Sequence, residues 1–334
     1  MKIGKSSIIF ENVYLKSSAV VVGPKEKKGP LEKYFDYCFD KLNCNEKSWE
    51  KAEIKMYNTA ASIALKKNRI NEKDIELVVS GDLNNQIIIG SYAMRDYDTP
   101  YLGIFSACAS SVEGLIMASL LIDRCGYHNI MVNVSSHNAM AEKQFRYPNE
   151  YGCQKPKYIT STVTSSTSVI LSSDFSDIKI TRGTIGTVVD YDLKDPQDLG
   201  RAMAPSCYYT LKQHLEDFEI DITEYDLILS GDLSTFGKEL FLNICYSQEI
   251  YFHDNYEDAG TMIYDLKSQN VYSGGSGCGC LPAVAFSFIL NQMRNKVYKK
   301  VLLLATGALH NPSILCQKES IPGITHAIAL EVVE

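Results

Sequence analysis

The chain is written twice. Residues 76–86 read ELVVSGDLNNQ and residues 226–236 read DLILSGDLSTF. Each is an apolar run closed by Ser-Gly-Asp-Leu, and each follows a helical segment and an acidic turn, Asn71 to Asp74 in one copy and Asp221 to Glu224 in the other. The parallel continues. GIFSACASSVEGLIMASLLI (103–122) matches VYSGGSGCGCLPAVAFSFIL (271–290) as strand, small-residue turn and apolar helix. HNIMVNVSSHN (128–138) and KKVLLLATGALHN (299–311) are strands that end in small residues and His-Asn. Each copy closes on a β-rich tail, 160–174 and 324–334. A fixed internal repeat constrains a fold more than any single motif. Two tandem βαβαβ-like units predict an α/β chain with halves at 1–175 and 176–334, each a mostly parallel or mixed sheet with helices on its faces. The continuous apolar runs at 77–79, 227–229 and 301–305 suit strands buried on both faces.

Charge and cysteine usage narrow the function classes. The net charge is −7 over 334 residues and no basic stripe stands out, which argues against a nucleic-acid partner. The short cluster Lys25 to Lys28 is broken by Glu26 and reads as a solvated loop. Ten cysteines are scattered, and the N-terminus lacks the pattern of a signal peptide, so the expectation is free thiols in a reducing compartment. Cys278-Gly279-Cys280 has no second pair at zinc spacing, and no metal site is expected. No apolar stretch approaches the roughly 20 residues that span a bilayer, so any membrane link is expected to be peripheral.

Ligands of α/β folds collect at the carboxyl ends of strands. Three turns there carry chemistry. In FSACASS (105–111), Cys108 sits where a helix begins, and helix amides and dipole beside a thiol favour its anion or hold an oxyanion. The alternative is a small buried hydrophobe. The Gly-rich SGGSGCGCL (273–281) allows close backbone approach but fails as a phosphate loop. In ATGALHNP (305–312), Gly307 is placed to offer an N–H near the sulfur. Among the histidines, His137 and His310 follow strand ends and are the pocket candidates, His214 is expected on an exposed helix face, and His326 precedes the last strand. The polar, aromatic segment 139–160 reads as an excursion able to cover the strand ends.

The duplicated unit with Ala-Cys at a strand-to-helix turn resembles the thiolase superfamily, and within it the type III ketoacyl-acyl-carrier-protein synthases. VVVGPKEKKGPL, SSHNAMAEKQFRYPNEYGCQKP, AMAPSCYYTLKQHLED, GGSGCGC and QKESIPGITHAI together resemble, more narrowly, the stage V sporulation AD family of spore-forming Firmicutes, over about residues 5–333. The resemblance implies a five-layered α/β/α/β/α fold and a homodimer. It also implies binding of dipicolinic acid, pyridine-2,6-dicarboxylate, or its calcium complex. Family members act in loading calcium dipicolinate into the spore and releasing it at germination, beside other proteins of the same operon at the spore inner membrane.

Condensing enzymes need a thiolate, a His with an Asn or second His, and backbone donors for the oxyanion. The family cysteine falls on Cys108. The His position falls on Gly231-Asp232, and the Asn position, aligned on Pro282, on Gly275. Loss of positioned acid–base help costs about 10²–10⁴-fold. The expected reading is a non-catalytic pocket with no cofactor. One ligand carboxylate would lie near the amides of Cys108 and Gly307, with Ser110, Ser276, Gly275 and His137 around it and Phe145, Tyr147 and Tyr151 as walls. Arg146 or Lys155 would balance the second carboxylate, or calcium would, with Asp232 supplying an oxygen. Two alternatives stand: an acyltransferase using Cys108, or a subunit that only holds membrane partners.

Overall fold

The computed structural model describes residues 1–145 and 155–334. The expected Arg146, Tyr147 and Tyr151 contacts lie outside these residues. Ten strands form the frame: β1 Tyr14–Val22, β2 Leu77–Gly81, β3 Tyr101–Gly103, β4 Asn129–Ser136, β5 Ser165–Ser172, β6 Ile178–Thr184, β7 Leu227–Ser230, β8 Tyr256–Asp258, β9 Lys300–Ala308 and β10 Gly323–Val332. The first half orders its strands β3-β2-β4-β5-β1, and the second orders them β8-β7-β9-β10-β6. Adding five to each label of the first sheet gives the second. Directions repeat as well. β2 is parallel to β3 and β4, while β5 is antiparallel to β4 and β1. β7 is parallel to β8 and β9, while β10 is antiparallel to β9 and β6. The sheets join along β6, which pairs with β1 at Lys179 to Tyr14 and with the short strand Ser7–Ile9 from Arg182 to Thr184.

The helices that matter here are α1 Trp49–Lys67, α2 Ile88–Met94, α3 Ser110–Cys125, α4 Asn138–Phe145, α5 Leu199–Phe218, α6 Ser234–Ser247 and α7 Cys280–Val284. The last runs on through a π-turn, Ala285–Ile289, into Leu290–Arg294. Burial sorts them into layers. The α1 side chains Tyr57, Ala61 and Ala64 pack with Ile89 and Ala93 of α2 on one face of the first sheet. Val112, Leu115 and Ile116 of α3 share a core with Leu281, Val284 and Phe286, walled by Val79 and Val132 of the first sheet and Leu303 and Ile328 of the second. Met203, Cys207 and Leu211 of α5 and Phe241 of α6 cover the far face of the second sheet. The result is α/β/α/β/α in five layers. Each large side chain so buried contributes roughly 1.5–3 kcal/mol of transfer free energy.

Local chemistry fixes the helix ends. Ser48 accepts from Lys51 N–H at 3.3 Å to start α1, and Gly126, at φ 80°, ends α3. The Asp82 carboxylate takes the Ile89 N–H at 3.1 Å at the start of α2, and Asp258 takes Leu233 and Ser234 N–H at 3.0 and 2.9 Å at the start of α6.

Two expectations fail in this frame. His214 is buried, not on an exposed helix face. Its two ring nitrogens meet Thr184 Oγ1 at 2.7 Å and Tyr225 OH at 2.6 Å. Thr184 lies 30 residues before it and Tyr225 11 after it, both outside the local pattern LKQHLED. Burial pushes this imidazole down to about 3. His326 lies within β10 rather than before it, also buried, with its pKa lowered to about 4.

Candidate functional site

The two small-residue turns meet where the halves face each other. Ala107 adopts a left-handed backbone at φ 50°, which aims Cys108 out of the turn two residues before α3 begins. Ser110 Oγ accepts from Ser106 N–H at 3.0 Å and donates to Ala107 O at 2.8 Å. Ser110 is therefore committed to holding the turn closed, and it does not line the cavity beside it. The second turn repeats the geometry: Gly277 at φ 111°, Cys278, then α7 two residues on. Cys278 is the counterpart of Cys108, a relation the cysteine spacing left unseen. Its Sγ donates to Ala107 O at 2.8 Å.

Gly307 packs its backbone against this turn. A Cβ there would lie 2.3 Å from Ser106 O and 3.0 Å from Ala109 N, so only glycine fits. The expected role of its N–H does not survive. Leu309 N–H donates to Pro322 O at 2.8 Å, and hydrogen-bonded pairs recur at every second residue of an antiparallel ladder. Gly307, in register with Ile324, is thus a hydrogen-bonded position and spends its N–H on the sheet. The Ala308 amide has the opposite parity, facing away from β10, and Ala308 lines the cavity.

That cavity, a narrow space of about 40 Å³ beneath an open mouth, lies over Cys108. Its walls come from both halves: Leu83, Phe105 and Phe145 from the first, Leu199, Met203 and Ala308 from the second. Its polar lining is Cys108, Thr162, Ser276 and His310. His310 packs edge-on against Phe145, ring centroids 5.3 Å apart. So Cys108, Ser276 and Phe145 come together as expected, and His310 joins them.

Other candidates are drawn away. His137 Nε2 donates to Leu42 O at 2.9 Å beside the Trp49 ring, and it does not line the cavity. Lys155 pairs with Glu142 at 3.1 Å. Gly275 sits in a two-residue strand paired with Ser161–Thr162, and a Cβ there would press on Ile263 and Val163 in the core. Gly275 holds the wall in place and gives the cavity no surface.

Asp232 stands behind the sulfur with no open oxygen. It accepts from Ser276 Oγ at 2.6 Å, Gly277 N–H at 3.0 Å and Thr306 Oγ1 at 2.6 Å. Burial raises its pKa despite these bonds. Burial, then the Asp232 charge, push the Cys108 thiol well above the ordinary thiol range. A reactive cysteine needs a lowered pKa, and here the start of α3 is set against burial and a carboxylate. Among the described residues, no group of three or more His, Cys, Asp or Glu converges as a metal site, and no helix is long and apolar enough to cross a membrane.

The comparisons with known proteins agree with this architecture. The solved structure of 3-oxoacyl-[acyl-carrier-protein] synthase III from Aquifex aeolicus superposes with a TM-score of 0.58 at 11% identity, covering 96% of this chain and 99% of that one. The cerulenin-bound OleA of Xanthomonas campestris gives 0.63 at 12% identity, covering 98% of each chain. Human mitochondrial 3-ketoacyl-CoA thiolase gives 0.62 at 10% identity, covering 99% and 100%. At such identities these likenesses establish the thiolase-like fold. Sequence is more specific: the family model described as Stage V sporulation protein AD (SpoVAD) matches residues 4–331. Stage V sporulation protein AD of Bacillus subtilis (strain 168) is 43% identical over 329 residues, 98% of this chain and 97% of that protein. The chain belongs to the stage V sporulation protein AD family.

Proposed function

We propose that this sporulation protein binds dipicolinic acid in the cavity over Cys108 without reacting with it, and so serves the loading of calcium dipicolinate into the spore and its release at germination. The observation that carries this reading is the Asp232 carboxylate behind the Cys108 sulfur, which opposes the thiolate that condensation requires. What remains is a slot with apolar walls and a few hydrogen-bonding groups, suited to a flat ring.

Charge favours the calcium complex as ligand. Dipicolinate carries two negative charges, and its one-to-one calcium complex carries none. Among the described lining residues only His310 can become cationic, and Asp232 adds a negative charge behind the wall. Burying an uncompensated anion there is costly. Titration calorimetry with dipicolinate in EDTA and with equimolar calcium tests both points. Saturable binding is expected with calcium, and about ten-fold weaker binding or less without it. No binding in either condition overturns the reading. Tighter binding in EDTA overturns the charge argument alone.

One observation favours a second reading. His310 shares the cavity with Cys108, as an acyltransferase base would. Incubation with radiolabelled acyl-CoA separates the two readings: an acyl adduct on Cys108 supports the enzyme, and its absence supports plain binding.

A homodimer joined along β3 belongs to the same proposal. β3 ends its sheet with Leu102 42% and nearby Phe105 49% exposed, an open edge of the kind that pairs with another chain. Leu102→Asp is expected to give a monomer in sedimentation; an unchanged species would put the interface elsewhere. Placement at the spore inner membrane, through other proteins of the operon, completes the proposal.

A further inference from the structure

The duplication is incomplete in one outer layer. In the second half, α6 runs 14 residues beside α5. The backbones touch: a Cβ on Gly237 would lie 2.5 Å from Gly200 O. The later part of α6, through Phe241 and Cys245, packs with Met203, Cys207 and Leu211 of α5 in one core. In the first half the matching helix α2 has 7 residues. Seven residues at about 1.5 Å each are two helical turns, about 10 Å, that this half lacks. Along α1 and α2 runs an open groove of about 1000 Å³, with Ile54, Ile63 and Ile88 among its lining residues.

Its charge is uneven. The acids that line it are engaged: Glu46 with Lys55 at 3.1 Å, Glu50 with Lys143 at 3.6 Å, and Asp96 with Arg95 at 3.6 Å. Lys51 and Lys66, also in the lining, are exposed and form no ion pair among the described residues. Isoleucines in the floor, with surplus positive charge beside them, suit an amphipathic helix bearing acidic flanks.

We infer that the groove between α1 and α2 is a docking site for an acidic amphipathic helix of a partner protein, which supplies the helical turns that α6 provides in the second half. The site is on the outer layer, distinct from the cavity over Cys108, and does not depend on what that cavity binds. Nine of the lining residues come from α1 alone, among them Lys51, Ile54, Lys55, Asn58, Ser62 and Lys66 at helical spacing, so the surface is one continuous helix face.

The test uses two hydrocarbon-stapled helical peptides with one shared leucine face, one flanked by glutamates and one by lysines, each titrated into the full chain by fluorescence anisotropy. The acidic peptide is expected to bind about ten-fold tighter or more than the basic one. Lys51→Glu with Lys66→Glu, both exposed, is expected to reverse that preference, and hydrogen exchange is expected to slow in α1 and α2 on binding. The inference is overturned by equal binding of the two peptides, by a preference that survives the charge reversal, or by protection elsewhere. It is also overturned if the two substitutions dissociate a homodimer, which would make a second copy of this chain the occupant.

Discussion

The turns at Cys108 and Cys278 share a backbone and differ in what they face. Both carry a left-handed residue just before the cysteine, Ala107 and Gly277. Both launch a helix two residues later, from cap residues with φ −80° and −82°. Yet Cys108 lines a cavity, while Cys278 is 0% exposed and spends its thiol on the Ala107 carbonyl. Duplication copied the geometry, and the contents of the second turn became support for the first. The site is thus asymmetric within a nearly symmetric frame, and each difference between the turns can be altered.

The largest effect is expected where the halves touch. Gly307→Val puts a side chain into the Ser106 carbonyl, and backbone cannot move aside as a flexible side chain can. Such overpacking costs about 3 kcal/mol or more, readable by urea denaturation, and ligand binding is expected to be lost with it. A stability within error of wild type would mean that the turn is not pinned as described.

Next come the two left-handed residues. Gly277→Ala is expected to destabilise by about 1–3 kcal/mol, because φ 111° is closed to side chains and the new methyl meets Ser136. Ala107→Gly relieves an existing left-handed alanine at φ 50° and is expected to change stability by less than about 1 kcal/mol. Equal costs in both would erase the distinction between the turns.

The pH response separates the second half's core from the site. His214 has its pKa lowered to about 3 by burial. The unfolded chain takes up a proton near the ordinary imidazole value, about 6.5, and the folded chain does not. The unfolded state therefore binds more protons between these values, and stability falls as pH falls through that window, by up to about 1.4 kcal/mol per unit from this group. His214→Gln is expected to be destabilised at pH 7, by about 1–3 kcal/mol for its lost bonds to Thr184 and Tyr225. The gap from wild type should narrow by pH 5, as thermal melts across that range would record. A constant gap would mean that this imidazole titrates alike in the folded and unfolded chains.

A smaller effect probes the carboxylate. Asp232→Asn removes the charge that helps hold the Cys108 proton, so iodoacetamide should alkylate Cys108 about ten-fold faster at pH 8, a shift of about one pKa unit. An unchanged rate would leave burial as the whole cause.

Much of this was legible in the sequence, for physical reasons. Buried parallel strands must be apolar throughout, so LVV and LIL announced β2 and β7 and with them the duplication. Small residues at a strand-to-helix turn announced Cys108. The rest depended on partners outside the local pattern. Gly307 reads in sequence as an amide donor near the sulfur, but the fate of its amide depends on ladder parity with β10, which no local pattern encodes. His137 and His310 look alike after their strands, and only the Leu42 carbonyl and the Phe145 ring, met in three dimensions, send one aside and the other into the cavity. Lys155, a free cation in sequence, is claimed by Glu142.

The central claim, that ligand occupies the cavity over Cys108 and leaves its sulfur unreacted, has a direct measurement. Maleimide labelling of the native protein, followed by peptide mass spectrometry, can be run with and without calcium dipicolinate. The exposed Cys125 and Cys316 serve as internal controls. The account predicts that the ligand slows labelling of Cys108 alone and leaves it as an unmodified thiol. Equal labelling of Cys108 in both conditions, with the ligand shown to be bound, would contradict it.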